Sequence, residues 1–294
     1  MKKILITGAN SYIGTSVENW MKQYENQYII ETIDMVDGSW REKNFSAYDT
    51  VFHVAGLAHA DIGKVTEEQK AFYYKINRDL TVETAKKAKS EGAAQFIFMS
   101  SAIVYGDSAP IGKRKVITKK TQPYPANFYG DSKLQAENGI LPLDSPDFKV
   151  VILRPPMIYG KGSKGNYPLL SKAANKLPFF PNVQNERSML HIDNLCEFVR
   201  LIIENEESGI FFPQNEEYVQ TSLLVKIIAE ANGKKIRLWK IFTPILMLLG
   251  KFPGRIGKIV NKAFGSLTYD KKLSEYRENY RINDLKSSII KTEG

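Results

Sequence analysis

The feature that most constrains this chain is the order of its apolar segments. Short apolar runs alternate with stretches whose apolar residues recur every three or four positions. KILIT (3–7) suits a buried parallel strand, and Ile13, Val17, Trp20, Met21 and Tyr24 then fall on one stripe of a helix. QYIIETID (27–34) and DTVFHVAG (49–56) read as the next two strands. Phe72, Ile76 and Leu80 set a helical spacing within 67–89, and QFIFMSS (95–101) is a fourth strand. A helix around 131–140 leads to a fifth, KVVILRP (149–155). Such alternation predicts an α/β architecture, a doubly wound parallel sheet covered by helices on both faces. Beyond Gly160 the order loosens, broken by Pro168, Pro178, Pro181 and Pro213. Residues 1–160 therefore read as one domain and 161–294 as a smaller C-terminal lobe, with residues around 187–205 candidates to return to the first.

The turn after the first strand, TGANSYIG (7–14), stands where a dinucleotide fingerprint belongs, which makes the sheet Rossmann-type, residues 1–160 the nucleotide-binding domain and 161–294 the substrate-binding lobe. Gly8 permits a tight turn, and Gly14 lets the helix start pack against the strand. Ser11 occupies the place of a further glycine; its small side chain could itself donate to a phosphate oxygen. The helix N-terminus offers N–H groups and a positive dipole end to a pyrophosphate, lined by Asn10, Ser11, Tyr12 and Ile13. Asp34 closes the second strand, where a carboxylate accepts from the adenosine ribose hydroxyls; it also reads as a plain turn residue. A carboxylate there repels a 2′-phosphate, and no arginine follows at once, so NAD is favoured over NADP.

YGDSK (129–133) puts Tyr129 and Lys133 four residues apart, on one helix face. An ammonium beside a phenol stabilises the phenolate, so the pair predicts a tyrosine with a lowered pKa, usable as a base near neutral pH. The same spacing is common on solvated helix faces. Here it follows MSSAIVYG (99–106) at the carboxyl end of the fourth strand, the edge where doubly wound sheets bind ligands.

Together TGANSYIG, DTVFHVAG, Asn77 within YYKINRDLT, SSAIVYG, YGDSK, LRPPMIYG and RSMLHIDNL resemble the extended short-chain dehydrogenase/reductase family, in its nucleotide-sugar epimerase/dehydratase branch. The resemblance implies a trio of Ser101, Tyr129 and Lys133. Tyr129 would be the acid/base, Lys133 would bind the nicotinamide ribose and tune Tyr129, and Ser101 would hydrogen-bond the reacting sugar oxygen, a role less suited to Ser100. It also implies that Asp49 lies near the adenine, that Ala55, Gly56 and Ser100 line the cofactor, and that Asn77 supports the site. Arg187, upstream of His191, would bind the substrate diphosphate, against the plainer reading of a surface salt bridge. The chain departs from the family at Ser11, at Ala58 and at Met157; Asn166 could replace an amide lost at the last of these. GSLTYD and ENYRI resemble a subgroup of bacterial surface-polysaccharide enzymes, and relatives of this kind dimerise.

Three reactions share such a scaffold. A 4,6-dehydratase needs carboxylates beside the catalytic hydroxyl, where this chain has Ala102 and Ile103. A 4-epimerase needs the trio, a resident NAD and a sugar free to turn over. A 4-keto-reductase uses the same trio with external NAD(P)H. Asp34 tips the reading toward epimerase, with the reductase as alternative and a non-catalytic dinucleotide sensor as a third.

The net charge of +9, without a nucleic-acid motif, points to an anionic small-molecule partner. His53, His59 and His191 are scattered, which predicts no metal site, and the single Cys196 fits a reducing, cytoplasmic setting with no internal disulfide. FTPILMLLG (242–250) is too short to span a bilayer and reads as a core helix followed by a solvated basic turn, with a membrane-surface helix as the other possibility.

Overall fold

Six short apolar runs assemble the central sheet of the computed structural model, which describes residues 1–24, 26–57 and 65–294. They are β1 (Lys2–Thr7), β2 (Tyr28–Ile33), β3 (Thr50–His53), β4 (Gln95–Met99), β5 (Lys149–Leu153) and β6 (Gly209–Phe211). All pair in parallel, in the order β6-β5-β4-β3-β1-β2. This is the doubly wound, Rossmann-type α/β sheet that the alternation predicts. Thr7 pairs with His53, His53 with Phe98, and Met99 with Leu153, so the carboxyl ends of β1, β3, β4 and β5 form one edge. β3 and β4 are buried throughout, as strands covered on both faces must be. Leu5, Val51, Phe96, Phe98 and Ile152 pack in one cluster with Trp40, Phe45, Ala85, Ala136 and Ile140. Each fully buried large side chain contributes roughly 2 kcal/mol by leaving water.

The crossovers are helical: α1 (Tyr12–Met21), α2 (Glu67–Tyr74), α3 (Leu80–Ser90) and α4 (Phe128–Ile140). The single helix expected over 67–89 is two, separated by a π-helical turn at Lys75–Asp79. Thr66 and Gln69 close a capping box that fixes where α2 begins. The π turn then carries Asn77, which is fully buried and hydrogen-bonded to neighbours outside the helix. Phe72, one of the three apolar residues that set the helical spacing, is exposed.

The chain groups into two compact units: residues 1–106, 123–155 and 195–213 form the first, and 107–122, 156–194 and 214–294 the second. Residues 107–122 thus leave the span that the sequence assigns to the nucleotide-binding domain. The cause is a two-residue strand, Val116–Ile117, paired in parallel with Thr268–Tyr269 and too brief to leave a periodic signature. Residues 195–213 supply β6 to the first unit. The second unit has its own core, including Tyr159, Phe180, Val183, Ile228, Phe264 and Ile289. FTPILMLLG does form a helix, Thr243–Lys251, but not the expected core helix, since none of its residues is buried. No helix among the described residues is long and apolar enough to cross a membrane.

His53 occupies the sheet interior, its Nδ1 2.7 Å from Thr7 Oγ1 and its Nε2 3.1 Å from Thr81 Oγ1. Burial pushes its pKa down from 6.5 to about 3. Between these values the unfolded chain binds the proton and the folded chain does not. The stabilisation is therefore complete above pH 6.5 and is lost as pH falls toward 3. His53→Gln is expected to flatten the acid-side slope of unfolding free energy by about 1 kcal/mol per pH unit in urea titrations; an unchanged slope would refute the assignment.

Candidate active site

The loop after β1 is shaped by what its glycines leave out. Gly8 has φ +97°, and a Cβ there would stand 2.9 Å from the Ala55 nitrogen. The loop and the segment after β3 therefore approach backbone to backbone. At Gly14 a Cβ would lie 2.7 Å from Ser11 Oγ and 3.1 Å from an Ile6 methyl, so α1 starts tight against β1. Asn10 takes φ +61°, a left-handed conformation that asparagine tolerates better than most residues. Ser11 caps α1, its Oγ accepting from Gly14 N at 3.1 Å, which leaves the hydroxyl hydrogen free to donate. The amides of Asn10 and Ile13 donate to no group among the described residues. A cradle that admits no added Cβ, with free amides and a positive helix end, fits a dinucleotide pyrophosphate. Gly8→Ala is expected to cost about 2 kcal/mol from the left-handed backbone alone. It should also lower bound NAD as measured by absorbance of the released nucleotide.

Asp34 follows β2 at the same sheet edge, exposed, with one carboxylate oxygen accepting from Val36 N at 2.8 Å. It forms the turn that its residue type allows, and its other oxygen keeps the reach that a ribose would use. Asp49 requires correction. It immediately precedes β3 and accepts from Lys3 N at 2.7 Å. That is the amino end of the sheet, about 13 Å from the carboxyl edge across the four residues of β3. Asp49 pins β1 to β3 and cannot line an adenine bound at the opposite edge.

Ala55 and Gly56 leave the carboxyl end of β3, and a Cβ on Gly56 would stand 3.0 Å from Asn77 Oδ1 and 3.2 Å from Lys133 Nζ. Asn77 clamps the adjoining residue, accepting from Leu57 N at 2.8 Å and donating to Leu57 O at 3.1 Å and Ser132 Oγ at 3.2 Å. Ala58, His59 and Asp61 lie outside the described residues.

At the end of β4 the two serines part. Ser100 N donates to Leu153 O at 2.8 Å, and its hydroxyl donates to the fully buried Glu137. That commitment takes the side chain of Ser100 away from the cofactor it was expected to line. Ser101 caps a short 3-10 turn, Ala102–Tyr105, its Oγ accepting from Ile103 N at 3.3 Å, and its hydroxyl lies near enough to the Tyr129 phenol to act on its pKa. Burial pushes the Tyr129 phenol up to about 12, the nearby Tyr73 adds to the rise, and Ser101 opposes it. The phenol lowered by Lys133 that the spacing predicts is not what the fold shows. Lys133 Nζ donates instead to Met99 O at 3.0 Å and sits 4.7 Å from the Phe98 ring centroid. Four-residue spacing brings the bases of two side chains together, while the direction of a long lysine stem is decided by what it packs on. Burial lowers the Lys133 pKa to about 8, with Glu137 opposing.

Glu137 and Arg154 escaped the sequence reading. Arg154 Nη2 meets Glu137 Oε2 at 2.5 Å, its Nε donates to both carboxylate oxygens, and its Nη1 donates to Tyr105 Oη at 2.6 Å. The signal was present: Tyr129, Lys133 and Glu137 are spaced four apart on one face of α4, the last of them an acid among buried positions.

In the second unit Asn166 precedes the helix Tyr167–Lys176, and its side-chain amide has no partner among the described residues. Arg187 donates to Lys262 O at 2.7 Å and Gly265 O at 3.2 Å. It has no carboxylate partner among the described residues, and burial lowers its pKa. The surface salt bridge weighed for it is absent there. His191 is buried, its pKa pushed down to about 4 by burial, and Cys196 is buried as well. No metal-binding cluster of acids, cysteines and histidines occurs among the described residues.

With that geometry in place, comparison with known proteins is direct. Over 295 residues the chain is 30% identical to a UDP-glucose 4-epimerase of Vibrio cholerae, covering 92% of this chain and 87% of that protein. It is 26% identical over 281 residues to an N-acetyl-alpha-D-glucosaminyl-diphospho-ditrans,octacis-undecaprenol 4-epimerase of Escherichia coli O157:H7, covering 89% and 82%. Its fold matches a UDP-glucuronic acid 4-epimerase of Bacillus cereus solved with NAD, at TM-score 0.72, 17% identity and coverage of 98% and 96%. The family model for NAD dependent epimerases and dehydratases matches residues 4–212, and this chain belongs to that family of NAD-dependent enzymes.

Proposed function

We propose that the protein is a nucleotide-sugar 4-epimerase acting on a UDP-hexose or UDP-N-acetylhexosamine. The observation that carries this reading is a buried Tyr129 phenol, with the Ser101 hydroxyl near it after the carboxyl end of β4 and Lys133 one turn along the same helix. Ala102 and Ile103, which cannot titrate, stand where a dehydratase would need acids. The Vibrio relative's name supports the same chemistry. Ser101 donates to the sugar's C4 oxygen and fixes it against the phenol. Tyr129 takes the C4 hydroxyl proton on oxidation and returns it on re-reduction. The Gly8–Gly14 loop would hold NAD, with Asp34 at its ribose, and NAD so bound would supply the acceptor for the C4 hydride and its return to the other face of the 4-keto sugar. Lys133 holds the nicotinamide ribose and supplies positive charge behind the phenol. Asn166 and Arg187 bind the substrate diphosphate, which would give the Arg187 guanidinium the anionic partner that it lacks among the described residues. We place this enzyme in the cytoplasm as a homodimer serving polysaccharide biosynthesis.

The test uses purified protein with no coenzyme added, incubated with UDP-glucose, UDP-galactose, their N-acetylamino counterparts and undecaprenyl-diphospho-N-acetylglucosamine, the products separated by chromatography. Interconversion of C4 epimers establishes the epimerase and names the sugar. Consumption of added NAD(P)H by a 4-keto-6-deoxy nucleotide sugar, without epimerisation, makes it a reductase; inertness in both leaves a dinucleotide sensor. Arg187→Ala is expected to raise KM for the sugar diphosphate about tenfold or more with bound NAD unchanged, the loss of one charge-assisted contact. An unchanged KM would remove Arg187 from the substrate site.

A further inference from the structure

The chain's charge is concentrated in one stretch of the second unit. Between Glu230 and Asp270 there is no carboxylate side chain and there are eight cations, +8 against +9 for the whole chain. The same stretch exposes large apolar side chains: Ile241, Ile245, Leu248, Phe252, Ile256 and Ile259 are each 54–72% exposed. Two helices carry most of them. In Thr243–Lys251, Leu246 packs on the core while Ile245 and Leu248 face solvent. In Arg255–Phe264, Val260, Ala263 and Phe264 belong to the core. At 100° per residue Ile259 lies beside that inward face, Ile256 carries it on to the exposed first turn of the helix, and Arg255, Lys258 and Lys262 form the next strip.

The arrangement is fixed. Asn261 donates to Gly250 O at 2.8 Å, tying the two helices together, and accepts from Ile111 N at 3.2 Å, which anchors them to the segment 107–122. A Cβ on Gly257 would stand 2.1 Å from Phe252 O, so only glycine permits the approach. None of Lys240, Lys251, Arg255, Lys258 or Lys262 has an acidic partner among the described residues. The cations are free to meet an external anion.

Charge decides what covers this face. A second copy of the chain meeting it symmetrically would set like charge against like. A nucleic acid would use the cations and leave six large apolar side chains in water. An anionic bilayer satisfies both, with apolar groups at the headgroup–acyl boundary and cations on the phosphates. Trp239, stacked on Phe179 at 4.6 Å and half exposed at the same end, is the residue type that favours such an interface. We propose that the helix pair Thr243–Phe264 docks the protein onto an anionic lipid bilayer surface. The inference is independent of which sugar the enzyme turns over.

The full chain is sedimented with phosphatidylcholine vesicles and with phosphatidylcholine–phosphatidylglycerol vesicles at low and high salt. Binding is expected only with phosphatidylglycerol and weaker at high salt. Each cation contributes about fivefold, so Lys251→Gln/Arg255→Gln/Lys258→Gln should lose about a hundredfold. Leu248→Asn/Ile259→Asn should abolish binding while keeping the wild-type circular dichroism, melting temperature and turnover in vesicle-free solution. In the unaltered chain, Trp239 emission should shift to the blue on adding anionic vesicles, a shift absent in Trp239→Phe. The proposal fails if the unaltered chain does not sediment with phosphatidylglycerol, or if Leu248→Asn/Ile259→Asn binds as tightly as wild type. It also fails if sedimentation velocity shows a dimer that this pair of substitutions dissociates, which would place a second copy on the face.

Discussion

Tyr129→Phe is expected to lower kcat by about three orders of magnitude, within the range for removing a general acid–base group, while leaving NAD bound. The substitution deletes one oxygen from a ring packed 6.5 Å from Tyr73, so neither the helix nor the neighbouring packing is asked to move. What disappears is a hydroxyl placed beside Ser101, after the carboxyl edge of the sheet. The phenol's pKa, pushed up to about 12 by burial, makes the unassisted group a reluctant base at neutral pH. Positive charge in the site must therefore bring it down on substrate binding, and Lys133, with a pKa near 8, still carries most of its charge at neutral pH. Lys133→Met should accordingly move the rising, acid-side limb of the kcat profile to higher pH as well as lowering the rate. The measurement is turnover without added coenzyme, with NAD content of the purified variants read by absorbance. Tyr129→Phe retaining more than a tenth of wild-type kcat would remove Tyr129 from the chemistry.

How much of this was legible beforehand follows from the range of the interactions involved. The sheet was legible because β1, β3, β4 and β5 are continuous apolar runs, which is what strands covered on both faces require. The glycine loop was legible because Gly8 and Gly14 answer local steric demands. The sequence did not reveal where long side chains end. Lys133 turns to Met99 O, Ser100 to Glu137, and Asp49 to Lys3, each choice set by a partner distant along the chain. The π turn at Lys75–Asp79 was hidden for the same reason, since Asn77 answers to Leu57 and Ser132 and not to its helical neighbours. The helix Thr243–Lys251 misled in the opposite sense. Its apolar composition suggested burial, yet composition alone cannot say whether protein or something else covers a face.

Glu137→Ala is expected to cost about 3–5 kcal/mol of stability, the typical result of leaving one member of a buried ion pair alone. Glu137 is fully buried and Arg154 nearly so, and the guanidinium loses both Nε contacts and the 2.5 Å Nη2 contact together. The Ser100 hydroxyl is orphaned by the same change. Glu137→Leu/Arg154→Met removes both charges and fills similar volume, so most of the loss should be recovered, with the Ser100 and Tyr105 hydroxyls accounting for what is not. A double-mutant cycle in urea unfolding measures the difference. Single and double variants of equal stability would show that the pair is not coupled. The same carboxylate opposes the effect of burial on Lys133, so its removal should drop the lysine pKa further below about 8. In the double variant, stable enough to assay, kcat should then fall off at lower pH than in the wild type, which a purely structural role for Glu137 would not produce.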